Sequence, residues 1–206
     1  LEEVALEALE RLGLGVGDPL PAKRRHVLLD ADAEVKVREA ALSLLSYRAR
    51  TRTELTRKLL GKGFHHARIE PCLDRLEERG LLDDAALASS FVRDRIRFRP
   101  RSRTRLAQEL RAKGVDDAVA REAVDQVLEE ENVTEVALAR TVLEGWLRRQ
   151  GPAVRAALAT PGRTPEREKA VRRLHGYLAR RGFRGPALSQ ALDLARDGAD
   201  GSGPDR

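Results

Sequence analysis

The sequence predicts an all-α chain of tandem three-helix repeats, forming an elongated, curved modular array. Three observations predict it. The first is a leucine–glycine pattern that recurs: "ELTRKLLGKGF" (54–64) lies over "RLAQELRAKGV" (105–115) at an offset of 51 residues, and over "RLHGYLARRGF" (173–183) a further 68 residues on. Leu55, Leu59, Gly63 and Phe64 thus match Leu106, Leu110, Gly114 and Val115, then Leu174, Leu178, Gly182 and Phe183. Recurrence at about 50 residues is the mark of a repeat architecture in which neighbouring units lend each other apolar surface. The second is composition: aromatic residues are 3% of the chain, so leucine, alanine and valine must fill the core, which favours helix on helix. The third is that leucines four apart share one helix face, and the Lys/Arg-Gly that follows is a helix stop.

Taken in order, residues 1–35 form a leader. Val4, Leu6, Leu9 and Leu12 suit a short helix stopped by Gly13 and Gly15, and "GDPLPAKRRH" reads as loop because of its two prolines. The chain begins at Leu1 rather than methionine, so a fragment or trimmed product is expected. Repeat 1 spans 36–82 with helices at about 36–47, 52–62 and 66–79; Thr51 with Glu54 has capping-box spacing at the second helix. Repeat 2 spans 83–131 with helices at about 84–98, 103–113 and 117–130. Asp83 and Asp84 stand at its first start and Ser102 is the N-cap matching Thr51. Repeat 3 spans 132–196 with helices at about 133–149, 165–181 and 187–196; Asn132 with Glu135 supplies a cap, and "RQGPAVRAALATPGRT" reads as an inserted linker over about 150–164 with one short helical turn. Ile69, Leu73 and Leu76 continue the repeat onto Ala120, Val124 and Val127, then Leu188, Leu192 and Ala195. The apolar-free tail 197–206 reads as disordered.

Charge is the functional clue. The net charge is +6, with 33 arginines against 6 lysines; part of that arginine is what a GC-rich genome supplies. Its placement says more. Arginine alternates through Arg93, Arg95, Arg97, Arg99, Arg101, Arg103 and Arg105, and residues 93–113 hold nine cations against two anions, while the rest is near neutral. Alternation suggests a strand, but Pro100 breaks the segment and Ser102 restarts it, so it reads as a basic corner between two helices. Arg48, Arg50, Arg52 and Lys58 form the matching corner of repeat 1. Such corners point to nucleic-acid phosphate or an acidic protein surface. The scarcity of rings argues against a base-stacking platform, and Phe98 reads as readily as core.

Enzymatic readings lack support. Asp83–Asp84 are helix-start residues before they are a catalytic pair. His65 and His66 are adjacent, a poor spacing for a shared metal on a helix. Cys72, the single cysteine, sits among Ile69, Leu73 and Leu76 as a buried hydrophobe. No metal and no cofactor is expected. One cysteine and no long apolar run favour a cytoplasmic protein with no membrane partner.

"AALSLLSYRARTRTELTRKLLGKGF", "LDRLEERGLLDDAALASSFVRDRIR", "RTRLAQELRAKGV" and the late "LARRGF" together resemble the RecX regulators of the bacterial recombinase RecA, over about residues 36–196. "GLLDDAALA" before an arginine-rich helix is the most specific part, and "LGLGVGDPL" is similar to the leader of some members. Two positions depart from the pattern: Leu87 stands where an aromatic is frequent, and Ser102 where glycine is frequent. The resemblance implies a non-enzymatic monomer that binds the RecA filament on single-stranded DNA and reduces ATP turnover, strand exchange and SOS repressor cleavage. DNA would be met through the filament, with weak direct binding as an addition. The listed arginines and Lys58 would make the contact. Thr51, Asp83, Asp84, Ser102, Gly63, Gly114 and Gly182 would hold the corners in place. The competing reading is a helix-turn-helix-like transcriptional regulator that binds DNA directly.

Overall fold

The computed structural model describes residues 3–197. Among them there are eleven helices and no strand. The chain divides into two compact units: unit 1 runs through Leu87 and includes Lys113–Val115, and unit 2 holds Ala88–Ala112 and the residues from Asp116 onward.

In unit 1, α1 (Leu6–Arg11) packs on α2 (Ala22–Tyr47), and α2 packs with α3 (Arg52–Gly61) and α4 (His66–Glu78). The core of the three-helix body is Val37, Ala41, Leu55, Leu59, Ile69, Cys72, Leu73, Leu76 and Leu82. Burial of the repeating leucines is complete, and truncating one to alanine costs about 2–5 kcal/mol. The leader differs from its expectation. Its second half is not loop: α2 starts at Ala22, straight after Pro21. Proline there is the N-cap, where its missing N–H breaks no intrahelical hydrogen bond, and its carbonyl accepts the Arg25 N–H at 3.0 Å. Leu28, Ala31 and Val35 recur at helical spacing and bury against Ala8 of α1, while Lys23 to His26 face solvent. Buried Asp32 fastens the pair: its Oδ1 accepts the Ala5 N–H at 2.7 Å and its Oδ2 meets Lys36 Nζ at 2.7 Å.

Helix α5 (Asp84–Phe98) leads into unit 2, which continues with α6 (Arg103–Ala112), α7 (Asp117–Glu130), α8 (Glu135–Arg148), α9 (Pro152–Ala159), α10 (Pro165–Arg180) and α11 (Gly185–Asp197). Leu106 and Leu110 of α6 and Ala120, Val124 and Val127 of α7 are fully buried, as the repeat requires. Helices α8, α10 and α11 pack on one another around Leu174, Leu178 and Phe183. Three details depart from the sequence reading. Thr134, not Asn132, caps α8, accepting the Ala137 N–H at 3.1 Å. Asn132 instead takes φ 50° in the turn after α7, a conformation asparagine tolerates. The 150–164 linker contains the eight-residue α9, which buries Leu158. In α11 the buried residues are Ala187, Ala191 and Ala195, with Leu188 and Leu192 only half-buried. The expectation for the tail lies, from residue 198, outside the described residues.

The corners are built twice by one device. Thr51 accepts the Glu54 N–H at 3.1 Å, and Ser102 accepts the Arg105 N–H at 3.2 Å. Both hydroxyl residues are buried, and each receives a helix C-terminus. In unit 1, Thr51 Oγ1 donates to Lys113 O and Thr53 Oγ1 to Gly114 O, each at 2.7 Å. In unit 2, the Ser102 N–H donates to Arg181 O at 3.0 Å. Gly114 and Gly182, at φ 89° and 91°, are pressed against these corners. A Cβ on Gly114 would lie 2.5 Å from Thr53 Cβ, and one on Gly182 would lie 2.2 Å from Ser102 Oγ. Gly63 has the same left-handed backbone, φ 90°, but open space around it.

Candidate functional site

The two basic corners carry their charge differently. In repeat 1, Arg48 and Arg50 both donate to the Glu54 carboxylate, and Arg50 Nε also donates to Leu44 O at 2.9 Å. Burial pushes the Glu54 carboxyl up, but the two guanidiniums outweigh it and the net shift is downward. Arg52 is held by three carboxylates of α4: Glu70, Asp74 at 2.7 Å and Glu77 at 2.8 Å. The Glu70 hydrogen bond leads in holding the guanidinium well above its ordinary range. Lys58 is exposed. This corner is neutralised by its own helices.

The two aspartates are structural. Asp83 accepts the Ala86 N–H at 2.8 Å and caps α5. Asp84 reaches across to α3 and accepts the Arg52 N–H at 2.9 Å. Burial leads in raising its carboxyl, against that hydrogen bond.

In repeat 2 compensation is partial. Arg93 meets Glu130 at 2.6 Å and Glu131 at 3.7 Å, and Arg103 pairs with Asp125. Glu109 alone serves three arginines: Arg95 at 2.8 Å, Arg101 at 3.4 Å and Arg105 at 3.7 Å. Arg97 and Arg99 have no carboxylate within 4.0 Å among the described residues. Arg97 lies 5.2 Å from the Phe98 ring centroid instead. Phe98 is not core: it is 68% exposed, because it lies six residues after buried Val92, about 240° around the axis and so on another face of α5.

Within unit 2 the corner meets further cations that sequence reasoning missed. Arg97, Arg99 and Arg101 line one side of a groove of about 460 Å³, and Arg148, Arg149 and Arg181 line the other. No carboxylate lines it. Tyr177 organises the far wall: the Arg181 guanidinium stacks 3.5 Å from its ring centroid and Arg149 donates to its hydroxyl. Burial leads in lowering Arg181, and Arg101, Arg149 and Arg180 add repulsion, with Tyr177 opposing. The doublets at 148–149 and 180–181 were visible in the sequence, but nothing in the local pattern folds them onto the corner. Crowded guanidiniums of this kind favour a polyvalent anion such as phosphate.

Among the described residues, no group of three or more His, Cys, Asp or Glu side chains is placed to hold a metal ion. Burial raises the Cys72 thiol, the opposite of an activated nucleophile. Among the described residues, no helix is long and apolar enough to cross a membrane.

Comparison with known proteins places this arrangement. Residues 38–76 match the first three-helix domain of RecX, and residues 83–124 match the second. The regulatory protein RecX of Halorhodospira halophila is 40% identical over 172 residues, covering 84% of this chain and 95% of that one. Its counterpart in Corynebacterium efficiens is 39% identical over 176 residues, 84% of this chain and 78% of the relative. A crystal structure of regulatory protein RecX superimposes with TM-score 0.72 at 26% identity, covering 92% of this chain and 88% of that one. Repeated three-helix modules, two of them matched in sequence, and relatives aligned over 78–95% of their length lead to one assignment: the chain belongs to the RecX family of regulatory proteins.

Proposed function

We propose that this chain regulates the RecA recombinase, binding its filament on single-stranded DNA and lowering ATP turnover, strand exchange and SOS repressor cleavage. DNA repair and recombination would be controlled through that contact. Family membership supports the partner. The observation that carries the reading is the uncompensated charge of the second corner, where Arg97 and Arg99 stand without carboxylates and one glutamate serves three more arginines. A partner that is itself an anionic filament is matched by such a surface. The repeats at 36–82, 83–131 and 132–196 would act as successive modules, with repeat 1 contributing Lys58 and the solvent side of Arg48.

The structure offers no observation that favours a helix-turn-helix regulator. The third helices would be the groove readers, yet α4 turns Glu70, Asp74 and Glu77 toward Arg52, and α7 exposes Asp125, Glu129 and Glu130. Carboxylates there repel a duplex.

The test is RecA ATP hydrolysis on single-stranded DNA with and without the chain at modest salt. Inhibition at about micromolar chain is expected, a concentration corresponding to about −8 kcal/mol of binding. An unchanged rate at that concentration removes the proposal.

A further inference from the structure

We propose that a cavity in unit 1, where the leader meets the first three-helix body, binds a small organic phosphate: a phosphate monoester with an apolar body. The inference goes beyond the recombinase reading and does not rest on it. Residues of α1, α2 and α4 surround the cavity, whose volume is about 290 Å³. Small-molecule sites run from roughly 300 to 1,000 Å³, so this one suits a single compact molecule. Its lining has two parts. The floor is apolar: Val35, Cys72 and Leu76 are each 2% exposed. The rim is cationic, with Arg11 from α1, Arg38 from α2, and Arg75 and Arg79 from α4. Arg11 meets Glu34 at 3.0 Å and Arg38 pairs with Glu7. Arg75 and Arg79 have no carboxylate within 4.0 Å among the described residues. They stand four residues apart, so they share one face of α4 at the mouth of the cavity.

The two parts of the lining choose the ligand. An inorganic anion would answer the guanidiniums and leave the floor to water. An uncharged apolar molecule would cover the floor and leave the guanidiniums unanswered. A carboxylate has two oxygens, which a single guanidinium fork takes up. A phosphate monoester has three terminal oxygens and nearly two charges, enough for Arg75 and Arg79 together, with its apolar part on the floor. Cys72 reports on the occupant, because it is the single cysteine of the chain and lies in the floor. Burial leads in raising its thiol, and Arg75 and then Arg38 oppose that rise. A bound dianion covers the thiol and cancels their opposition, so occupancy slows its chemistry twice over.

The experiment follows alkylation of Cys72 by N-ethylmaleimide, an uncharged reagent, using mass spectrometry on the full chain. Phenyl phosphate is the probe, titrated at constant ionic strength. Saturable protection of about 5-fold or more is expected, half complete near about 1 mM, which is what a ligand of this size delivers. Inorganic phosphate and phenol, the two halves of the probe, should each need about tenfold more. Phenylacetate, which offers a carboxylate in place of the phosphate, should also need about tenfold more. Arg75→Ala with Arg79→Ala should raise the half-protecting concentration about tenfold. Arg75→Gln with Arg79→Gln, which keeps most of each side chain, should do the same. Lys23→Ala with Arg24→Ala, exposed on α2, should leave it unchanged. All variants are matched by circular dichroism melts. Absence of protection at about 10 mM phenyl phosphate overturns the proposal. So does protection indifferent to both Arg75–Arg79 double variants, or equal protection by inorganic phosphate, phenol or phenylacetate.

Discussion

The corners of repeats 1 and 2 share a backbone and oppose each other in charge. At the offset of 51, Arg48, Arg50 and Arg52 correspond to Arg99, Arg101 and Arg103, so the cations are kept. Glu54 corresponds to Arg105 and Lys58 to Glu109, so the pair on the following turn is reversed. That reversal moves the carboxylate from the first turn of the helix to the second. Glu54 sits close enough to close on Arg48 and Arg50; Glu109 reaches Arg95, Arg101 and Arg105 and leaves Arg99 bare. The α4 carboxylates change too: Glu70, Asp74 and Glu77 become Arg121, Asp125 and Leu128, so Arg103 keeps one partner where Arg52 has three. One corner uses arginine to tie helices together, and the other leaves Arg97 and Arg99 without carboxylates.

The largest effect expected from breaking this comparison is on the shared scaffold. Gly114→Ala and Gly182→Ala each force a Cβ into a threonine or serine corner as well as a left-handed backbone, and each should cost about 3 kcal/mol or more in urea unfolding. Gly63→Ala, with the same φ and open space, should cost only about 1 kcal/mol.

Exchanging the charges sharpens the contrast. Glu54→Arg removes the carboxylate shared by Arg48 and Arg50, and urea unfolding should show a loss of about 1–3 kcal/mol. Arg105→Glu gives repeat 2 the carboxylate of repeat 1. It should leave unfolding within about 0.5 kcal/mol and raise the concentration needed for RecA inhibition several-fold.

The smallest effects are in pH dependence, and they have opposite signs. The Asp84 carboxyl is raised by burial, so the folded state holds its proton more tightly than the unfolded chain. Its cost is absent below the ordinary value of 3.8 and grows as pH rises through the shifted one. Asp84→Asn should therefore gain on the parent in melts from about pH 3 upward. For Asp32, burial raises the carboxyl but Lys36 and the Ala5 N–H outweigh it, and the net shift is down. Its stabilisation is full above 3.8 and is lost as pH falls through the shifted value, so Asp32→Asn should lose on the parent over the same rise.

Much of the fold was legible because its punctuation is local. A threonine or serine N-cap, two leucines four apart and a glycine stop define α3 and α6 with little ambiguity. The start of α2 was hidden because Pro19 and Pro21 look like loop until Leu28, Ala31 and Val35 are seen to bury against α1. The register of α11 was hidden because its buried face is Ala187, Ala191 and Ala195, while the larger Leu188 and Leu192 beside them are only half-buried. The site was legible as a count of cations but not as free charge. Neutralisation depends on partners distant in sequence, such as Glu130 for Arg93 and Glu70 for Arg52. Arg148, Arg149 and Arg181 join the corner only through the packing of α8 and α10.

The most direct measurement compares two double variants as inhibitors of RecA ATP hydrolysis on single-stranded DNA. With Arg97→Ala and Arg99→Ala, the half-inhibitory concentration should rise about tenfold or more, a loss of about 1.4 kcal/mol. With Arg48→Ala and Arg50→Ala, corrected for the folded fraction, it should stay within about twofold, as expected of cations already answered inside the chain. Equal losses from both, or a larger loss from the first corner, would contradict the account.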